Sequence, residues 1–390
     1  MRSIFGPPRR ALILAGAVLL AGTWITGCGS GGSTAELSAG GGVPRYRVVD
    51  LGPAPTNTTL LFNRAGEIVA APLEVGARYH KYDRATGQFT PTDSPGSIER
   101  FGPNALGQRL ELENPRTDYR AKTLVQTDGA RVDMANFGFS LSGYPPSHAL
   151  GMNDAGQVFG HFSTKVPSDS RPEGYSIESR AFLWQDGDFR DLGTLGGFST
   201  HARDINNRGQ IVGYAKVAEP LPGSVQGATP PYRAFLYEEG RMTMLPVPSG
   251  AGWLLSAHLI NERGQIVGED DHRMFLWENG SVRDITKEGG EPNFGYPLAL
   301  NERGQILGRN IPRVIAAGTD GTYPMPTHPP AEYFLYDRGR AHRVEMLLPA
   351  ATPWTLGGVF GLNDRGEMLA TMADSGAEDR WALLVPEEER

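Results

Sequence analysis

The chain has 390 residues, of which 39% are hydrophobic and 21% are charged. Its formal net charge is −7, and it becomes −10 when the three arginines of the N-terminal leader (1–27) are removed. This acidic balance argues against nucleic acid and anionic lipid as partners. The single cysteine excludes an internal disulfide, and the 51 glycines and 30 prolines fit a chain that turns every few residues.

The first 27 residues have the pattern of a secretory signal peptide. Three arginines and no acidic residue accompany an apolar core of 15 residues (11–25), which is too short to span a bilayer well. The core ends at Ile25-Thr26-Gly27-Cys28, which resembles the lipobox of bacterial lipoproteins. We therefore expect residues 1–27 to be removed and Cys28 to be lipidated. The alternative is cleavage nearby, which would leave a free thiol.

Residues 28–44 follow as a tether rich in glycine and serine, which predicts a flexible segment. Gly29 stands where an Asp would favour retention in the inner membrane. The sequence thus predicts an exported protein, anchored through Cys28 to the outer membrane or displayed at the cell surface. Residues 45–390 are expected to form a monomeric folded domain.

A motif of Asn followed three residues later by Gly, and then by a short apolar run, recurs along this domain. The steps between successive copies range from 40 to 62 residues, a period typical of solenoids and propellers. We number the copies one to seven by their asparagines, which are Asn63, Asn104, Asn153, Asn206, Asn261, Asn301 and Asn363.

Each copy predicts two hairpins in series, with four short antiparallel strands A to D. Asn at the first and Gly at the last position suit a type I turn between strands A and B. A second turn of two polar residues and Gly, as in Gln185-Asp186-Gly187, joins strands C and D. Strand C is apolar on both faces in Ala181-Phe182-Leu183-Trp184 and in Met274-Phe275-Leu276-Trp277. Such a unit needs cover on both sides, which stacked blades provide.

The two ends of the domain are complementary. The last copy stops after strand C (380–385), whereas 46–52 at the start resembles a strand D. An N-terminal strand that completes the final blade would remove the exposed edges. We therefore predict an all-β fold, a seven-bladed β-propeller of four-stranded blades closed by the N-terminal strand. An open β-solenoid is the alternative.

Two segments in copies three and four carry a family resemblance. The first is Arg180-Ala181-Phe182-Leu183-Trp184 with the glycine-rich stretch 191–197, and the second is the hairpin 204–213. These segments resemble the bacterial extracellular HAF-repeat family. Arg180 and Arg233 stand at the position of the family's His, so no role for that His carries over. The resemblance implies a repeat fold and export, and it implies no activity.

Long B–C segments (163–179, 215–232 and 309–331) and aromatic D–A loops fall at one end of the predicted blades. Elaborated loops on one face of a repeat array usually form the binding face, although loops also tolerate insertion without function. Exposed rings at this face would suit sugars or peptides, and rings packed between blades would be structural. The candidate ligand-binding residues are Phe198, Trp253, Phe294, Tyr296 and Trp354.

Five residues before each turn Asn lies a position that would surround the mouth of a central channel. Three successive copies place Glu99, His148 and His201 there, and a carboxylate with two imidazoles could hold Zn²⁺. Hydrogen-bonded channel residues are the alternative. The acidic loop Glu269-Asp270-Asp271-His272 could bind Ca²⁺ or be a solvated turn, since the spacing of a calcium loop is missing. No other cofactor is expected.

No P-loop, serine nucleophile elbow or dinucleotide-binding glycine motif occurs in the chain. Three functions remain open. The first is a non-catalytic envelope lipoprotein whose propeller face binds a glycan, a peptide or an envelope protein. The second is a metal-dependent hydrolase or lyase with its site at the channel mouth. The third is a purely structural assembly module.

Overall fold

The computed structural model describes residues 43–53, 55, 58–72, 78–92, 104–114, 118–125, 129–133, 147–168, 172, 174–219, 230–270, 273–290, 295–310, 331–350, 354–374 and 380–387. The predicted signal peptide, Cys28 and most of the tether lie outside these residues. Within the described part, no helix is long and apolar enough to cross a membrane.

The described chain is nearly all β, and its sheets follow the copies of the repeat. The first strand is β1 (Tyr46–Gly52), and copies one and two contribute β2 (Thr58–Phe62), β3 (Ile68–Pro72), β4 (Tyr79–Asp83), β5 (Gln88–Thr92), β6 (Arg109–Asn114), β7 (Asp118–Val125) and β8 (Arg131–Asp133). Copies three and four contribute β9 (Ser147–Met152), β10 (Val158–Pro167), β11 (Tyr175–Gln185), β12 (Asp188–Asp191), β13 (Gly196–Ile205), β14 (Ile211–Val217), β15 (Tyr232–Glu238) and β16 (Arg241–Met244).

The later copies repeat this order and add two short helical segments. Copy five contains β17 (Ser256–Ile260), β18 (Ile266–Glu269), β19 (Met274–Glu278), β20 (Ser281–Asp284) and the helix α1 (Ile285–Gly289). Copy six contains β21 (Tyr296–Leu300), β22 (Ile306–Arg309), β23 (Tyr333–Asp337), β24 (Arg340–Arg343) and a 3₁₀ turn (Val344–Leu347). Copy seven contains β25 (Trp354–Leu362), β26 (Met368–Asp374) and β27 (Arg380–Pro386).

The predicted turn chemistry is confirmed at both hairpins of a copy. At the A–B turn of copy five, Gly264 has φ +79° and donates its N–H to the carbonyl of Asn261 at 3.1 Å. At the C–D turn, Asn279 and Gly280 both have positive φ, which is the two-residue turn that matches strand twist. Local sequence therefore specifies where each strand pair reverses.

The cores lie between sheets, as the doubly apolar C strands predict. Residues 181–184 of β11 and 274–277 of β19 are all buried. One apolar cluster joins Phe159 and Leu183 of copy three to Ile211 and Phe235 of copy four. Each sheet thus covers its neighbour, and the core of the domain is divided among the interfaces.

The repeated asparagines link these sheets to one another at the turn end. Each of five asparagines is buried or half-buried and donates its side-chain Nδ2–H to the backbone carbonyl of the Asn in the next copy. These bonds run from Asn104 to Asn153 (3.0 Å), Asn153 to Asn206 (2.9 Å), Asn206 to Asn261 (3.1 Å), Asn261 to Asn301 (3.0 Å) and Asn301 to Asn363 (2.9 Å). Copy seven then bonds to copy one, where the N–H of Asp364 donates to the carbonyl of Arg64 at 3.0 Å.

The ends of the domain meet in one sheet, which confirms the predicted closure. Strand β1 pairs antiparallel with β27, and the sheet continues through β26 to β25. The innermost strands β9, β13, β17, β21, β25 and β2 contact one another in that order, so the array curves back on itself. This closed arrangement is a β-propeller, and it excludes the open solenoid.

The count of seven blades stays a prediction. Copies two and three share a single sheet of seven strands, because β7 pairs with β9 at Ala121 and Ala149. Strand A of copy two falls on residues outside the described set. Five other sheets of four strands account for the remaining copies and for β1.

A bulge in the innermost strand sets the register of most hairpins. In copy one, which has no bulge, Thr58 pairs with Pro72, fourteen residues later. In copy four, a bulge at Arg203 brings His201 opposite Tyr214 instead. Copies three, five, six and seven have a bulge at the same position, three residues before the turn Asn. The bulge therefore decides which B-strand residue lies beside each channel position.

Candidate functional site

The mouth of the channel lies at the end of the blades away from the asparagine turns. His148 and His201 occupy the predicted position, five residues before their turn, or about 16 Å along a strand. Strand pairing adds His161 beside His148 and Tyr214 beside His201. The structure thus brings three histidines from two copies together at this end.

Six aromatic side chains form a continuous series of contacts here, which we call the ring chain: His148, His161, His201, Tyr214, Tyr232 and Trp253. The ring centroids lie 5.5 Å apart for His148 and His161, 5.2 Å for His161 and His201, 4.7 Å for His201 and Tyr214, 5.4 Å for Tyr214 and Tyr232, and 5.2 Å for Tyr232 and Trp253. Most contacts are edge-to-face, whereas His201 and Tyr214 are stacked. The ring chain begins in copy three and ends at Trp253, just before the first strand of copy five.

Polar groups flank the ring chain on adjacent strands. The Glu178 carboxylate accepts hydrogen bonds from the hydroxyls of Ser176 (3.2 Å) and Ser199. Arg203, the bulge residue of β13, places its guanidinium over the Tyr214 ring, 5.2 Å from the centroid. Two buried nitrogens of the described site have no hydrogen-bond partner, namely Nε2 of His161 and Nε of Arg203. The site therefore offers donors and acceptors that the described protein does not use.

Two histidines of the ring chain, His161 and His201, are held in the neutral form. Burial, and then the charges of His201, His148 and Arg203, keep the pKa of His161 well below its usual range. Burial and the Arg203 charge lower the pKa of His201 to about 4, and Glu178 opposes this shift. At neutral pH these imidazoles can each donate one hydrogen bond and accept another.

Two of the predicted ligand-binding aromatics are exposed rings in the described part of this face. Phe198 is 51% exposed and Trp253 is 48% exposed. Tyr296 is half-buried between the His258 ring (5.4 Å) and the Arg309 guanidinium (5.2 Å), and Trp354 is half-buried at the start of β25. Phe294 lies outside the described residues. Trp253 therefore joins the site, whereas Tyr296 belongs to a separate contact group on copy six.

The segment 163–179 of copy three is not an irregular loop. Strands β10 and β11 continue through Pro167 and from Tyr175, so most of this insertion is an extended hairpin. Lys165 lies over the Tyr175 ring at 4.2 Å and fastens its tip. The hairpin carries Glu178 to the ring chain. The central parts of the other two long B–C segments (220–229 and 311–330) lie outside the described residues.

One of the three predicted zinc ligands, Glu99, lies outside the described residues. His148 and His201 both contact His161 through their rings. Among the residues that the structure describes, no group of three His, Cys, Asp or Glu side chains is arranged to hold a metal ion. The zinc site of Glu99, His148 and His201 stays a prediction.

The described carboxylates of the acidic loop in copy five interact with nearby basic side chains. Glu269 Oε1 lies 3.3 Å from Nε2 of His258, and Asp270 forms an ion pair with Arg273 at 2.6 Å. Asp271 and His272 lie outside the described residues. Both described carboxylates thus have protein partners in place of a free face toward a Ca²⁺ ion.

Sequence reasoning missed four residues of the site, namely His161, Tyr214, Glu178 and Arg203. His161 and Tyr214 each lie eight residues after their turn Asn, on strand B. A regular hairpin would place the ninth residue opposite the channel position, as copy one does. The signal in the sequence was that both rings lie eight residues after a turn Asn. Because of the bulge, this eighth residue is the one that pairs with the channel position.

Comparisons with known proteins found solved structures that resemble this chain in fold. No protein-family model matches the chain, and no curated protein matches it. Solved structures similar to it include the β-propeller domain of the Trilobed protease from Pyrococcus furiosus (TM-score 0.35, 10% identity, 86% of this chain and 84% of that chain) and a gluconolactonase from Xanthomonas campestris (TM-score 0.34, 12% identity, 88% and 90%). A prolyl endopeptidase gives a TM-score of 0.45 at 12% identity over 88% of this chain, which spans about half (51%) of that enzyme. At these scores the neighbours carry no argument about activity.

Proposed function

We propose that this chain is an exported, lipid-anchored β-propeller of seven blades that binds a carbohydrate at the mouth of its channel. The observation that carries the proposal is the ring chain, which runs through the half-buried mouth and ends at the exposed Trp253. Aromatic faces suit the apolar C–H surfaces of a sugar ring, and the flanking polar groups suit its hydroxyls. The role is binding without catalysis.

Two further features support a sugar. A ligand pocket combines apolar walls with a few placed polar groups. Here Glu178 and Ser199 flank the rings, and the neutral imidazole of His201 supplies a donor and an acceptor within the ring chain. Phe198 adjoins Ser199 in sequence and is exposed, so it extends the apolar surface outward. A flat ligand with hydroxyls at its edge would contact both the aromatic rings and the polar side chains.

The lipid anchor is supported by the Ile25-Thr26-Gly27-Cys28 sequence and by the glycine-rich tether after it. A tether of this kind lets an anchored domain reach a ligand away from its membrane. Labelling with radioactive palmitate tests the anchor. The label should enter the wild-type protein and be absent from Cys28→Ser, and equal labelling of both would contradict the assignment.

Binding of oligosaccharides to the purified full chain in mild detergent tests the central part of the proposal. We expect Trp253→Ala to weaken binding by about five- to tenfold, because one stacking ring contributes roughly 1–1.5 kcal/mol. Leu106→Ala is the matched control, since Leu106 is 51% exposed but lies in the Asn104 turn at the opposite end.

Unchanged binding in Trp253→Ala would place the ligand elsewhere. Binding of extended peptides with no oligosaccharide binding would contradict the carbohydrate assignment and favour a peptide-recognition module. Circular dichroism and thermal unfolding of each variant would confirm that the fold is kept.

A further inference from the structure

Arg203 is a half-buried arginine beside the ring chain and differs from Arg180 and Arg273 in having no carboxylate partner. Arg309 repeats its arrangement in copy six, where the guanidinium lies over the Tyr296 ring at 5.2 Å, outside the ring chain. Arg180 pairs with Asp191 at 2.9 Å, and Arg273 pairs with Asp270 at 2.6 Å. Arg203 has only the Tyr214 ring beneath it, its Nε is buried without a partner, and no described carboxylate forms an ion pair with it. A half-buried cation that lacks a carboxylate is a binding position for an anion.

We propose that the mouth of the channel takes an acidic sugar, whose carboxylate is bound by Arg203 while its ring packs on the ring chain. This inference rests on the proposed function and names its ligand class. A guanidinium presents a planar fork of N–H donors that matches a carboxylate, and an aromatic face behind it fixes its plane. Tyr214 provides that face here.

The neighbouring groups leave the Arg203 fork available. Glu178 is the carboxylate of the site, and the hydroxyls of Ser176 and Ser199 engage its two oxygens. His201 precedes Arg203 by two residues on β13 and stacks on the same Tyr214 ring. A carboxylate at Arg203 would therefore meet one cation and neutral rings.

Calorimetric titration of the full chain with the trimer of galacturonic acid and with its methyl ester tests the inference. The ester keeps the shape of the ligand and removes its charge. We expect the acid to bind at least about tenfold more tightly than the ester at pH 7. Arg203→Gln should abolish this difference, whereas Arg203→Lys should keep part of the preference for the acid.

Arg208→Gln is the matched control, because Arg208 is an exposed arginine in the turn at the other end of the same hairpin. It should bind both ligands as the wild type does. Equal binding of acid and ester, or an unchanged preference in Arg203→Gln, would overturn the inference. If both ligands bind equally and binding still depends on Trp253, the acidic class alone is wrong. If neither ligand nor any neutral oligosaccharide binds, the carbohydrate function is wrong as well.

Discussion

Asn206 and Asn207 are adjacent in sequence and both side chains bond to a neighbouring copy, but only the side chain of Asn206 is buried. The buried side chain of Asn206 donates to Gln210 Oε1 (2.7 Å) and to the carbonyl of Asn261 (3.1 Å). Its Oδ1 accepts from the N–H groups of Arg208 and Gln210, both at 3.1 Å. One amide therefore closes its own turn and joins two blades. Asparagine suits this position because its amide both donates and accepts.

We expect Asn206→Ala to lower the free energy of unfolding by roughly 2–4 kcal/mol, because it leaves buried donors and acceptors without partners. Asn207→Ala should cost less than about 1 kcal/mol, since that side chain is exposed and bonds to the exposed Asp154. Urea denaturation of the two variants beside the wild type measures the difference. Equal midpoints for both variants would show that the buried bonds of Asn206 add no more to stability than the exposed bonds of Asn207.

At the scale of the strand, the bulge links fold and site. Gly213 pairs with Ala202 beside the bulge, and a Cβ at Gly213 would lie 2.0 Å from the carbonyl oxygen of His201. Gly160 and Gly268 have the same close approach in copies three and five. The glycine thus permits the register that places Tyr214 next to His201.

Gly213→Ala should destabilise the protein by about 1–3 kcal/mol or more, because the contact is with backbone and cannot relax by a side-chain rotation. It should also weaken sugar binding, since His201 and Tyr214 would shift. Gly252→Ala is the control, as the nearest atom to its added Cβ is 3.6 Å away. Thermal unfolding and titration of both variants give the readout, and a Gly213→Ala protein with wild-type stability and affinity would refute the role of the bulge.

These examples show what the sequence could predict. The turns, the doubly buried C strands and the final closure are encoded by residues close together in the chain or by the two ends, so they were predictable. The bulge adds one residue to strand A without changing the repeat motif, and the partners of His148 and His201 therefore could not be read from spacing. The count of seven stays open because copies two and three merge at Ala121 and Ala149.

At the scale of the whole molecule, ion pairs stabilise the closure of the ring. Arg380 of β27 forms a bidentate ion pair with Asp50 of β1. Glu367 of copy seven accepts from Arg84 of copy one through both oxygens, each at 2.8 Å, and these bonds help lower the pKa of Glu367 to about 2. These charge-assisted hydrogen bonds join residues about 280 to 330 positions apart in the chain, so they help to hold its two ends together.

The closed ring holds the strands that carry the ring chain in fixed relation, so the binding site belongs to the assembled domain. ¹⁹F NMR of the purified protein labelled with 5-fluorotryptophan tests this account most directly. The chain has six tryptophans, of which Trp184 and Trp277 are buried (both 3% exposed) and Trp253 is 48% exposed. On titration with the galacturonic acid trimer, the Trp253 signal should shift, whereas the signals of Trp184 and Trp277 should not. An unchanged Trp253 signal at saturating trimer would contradict a carbohydrate site at the channel mouth.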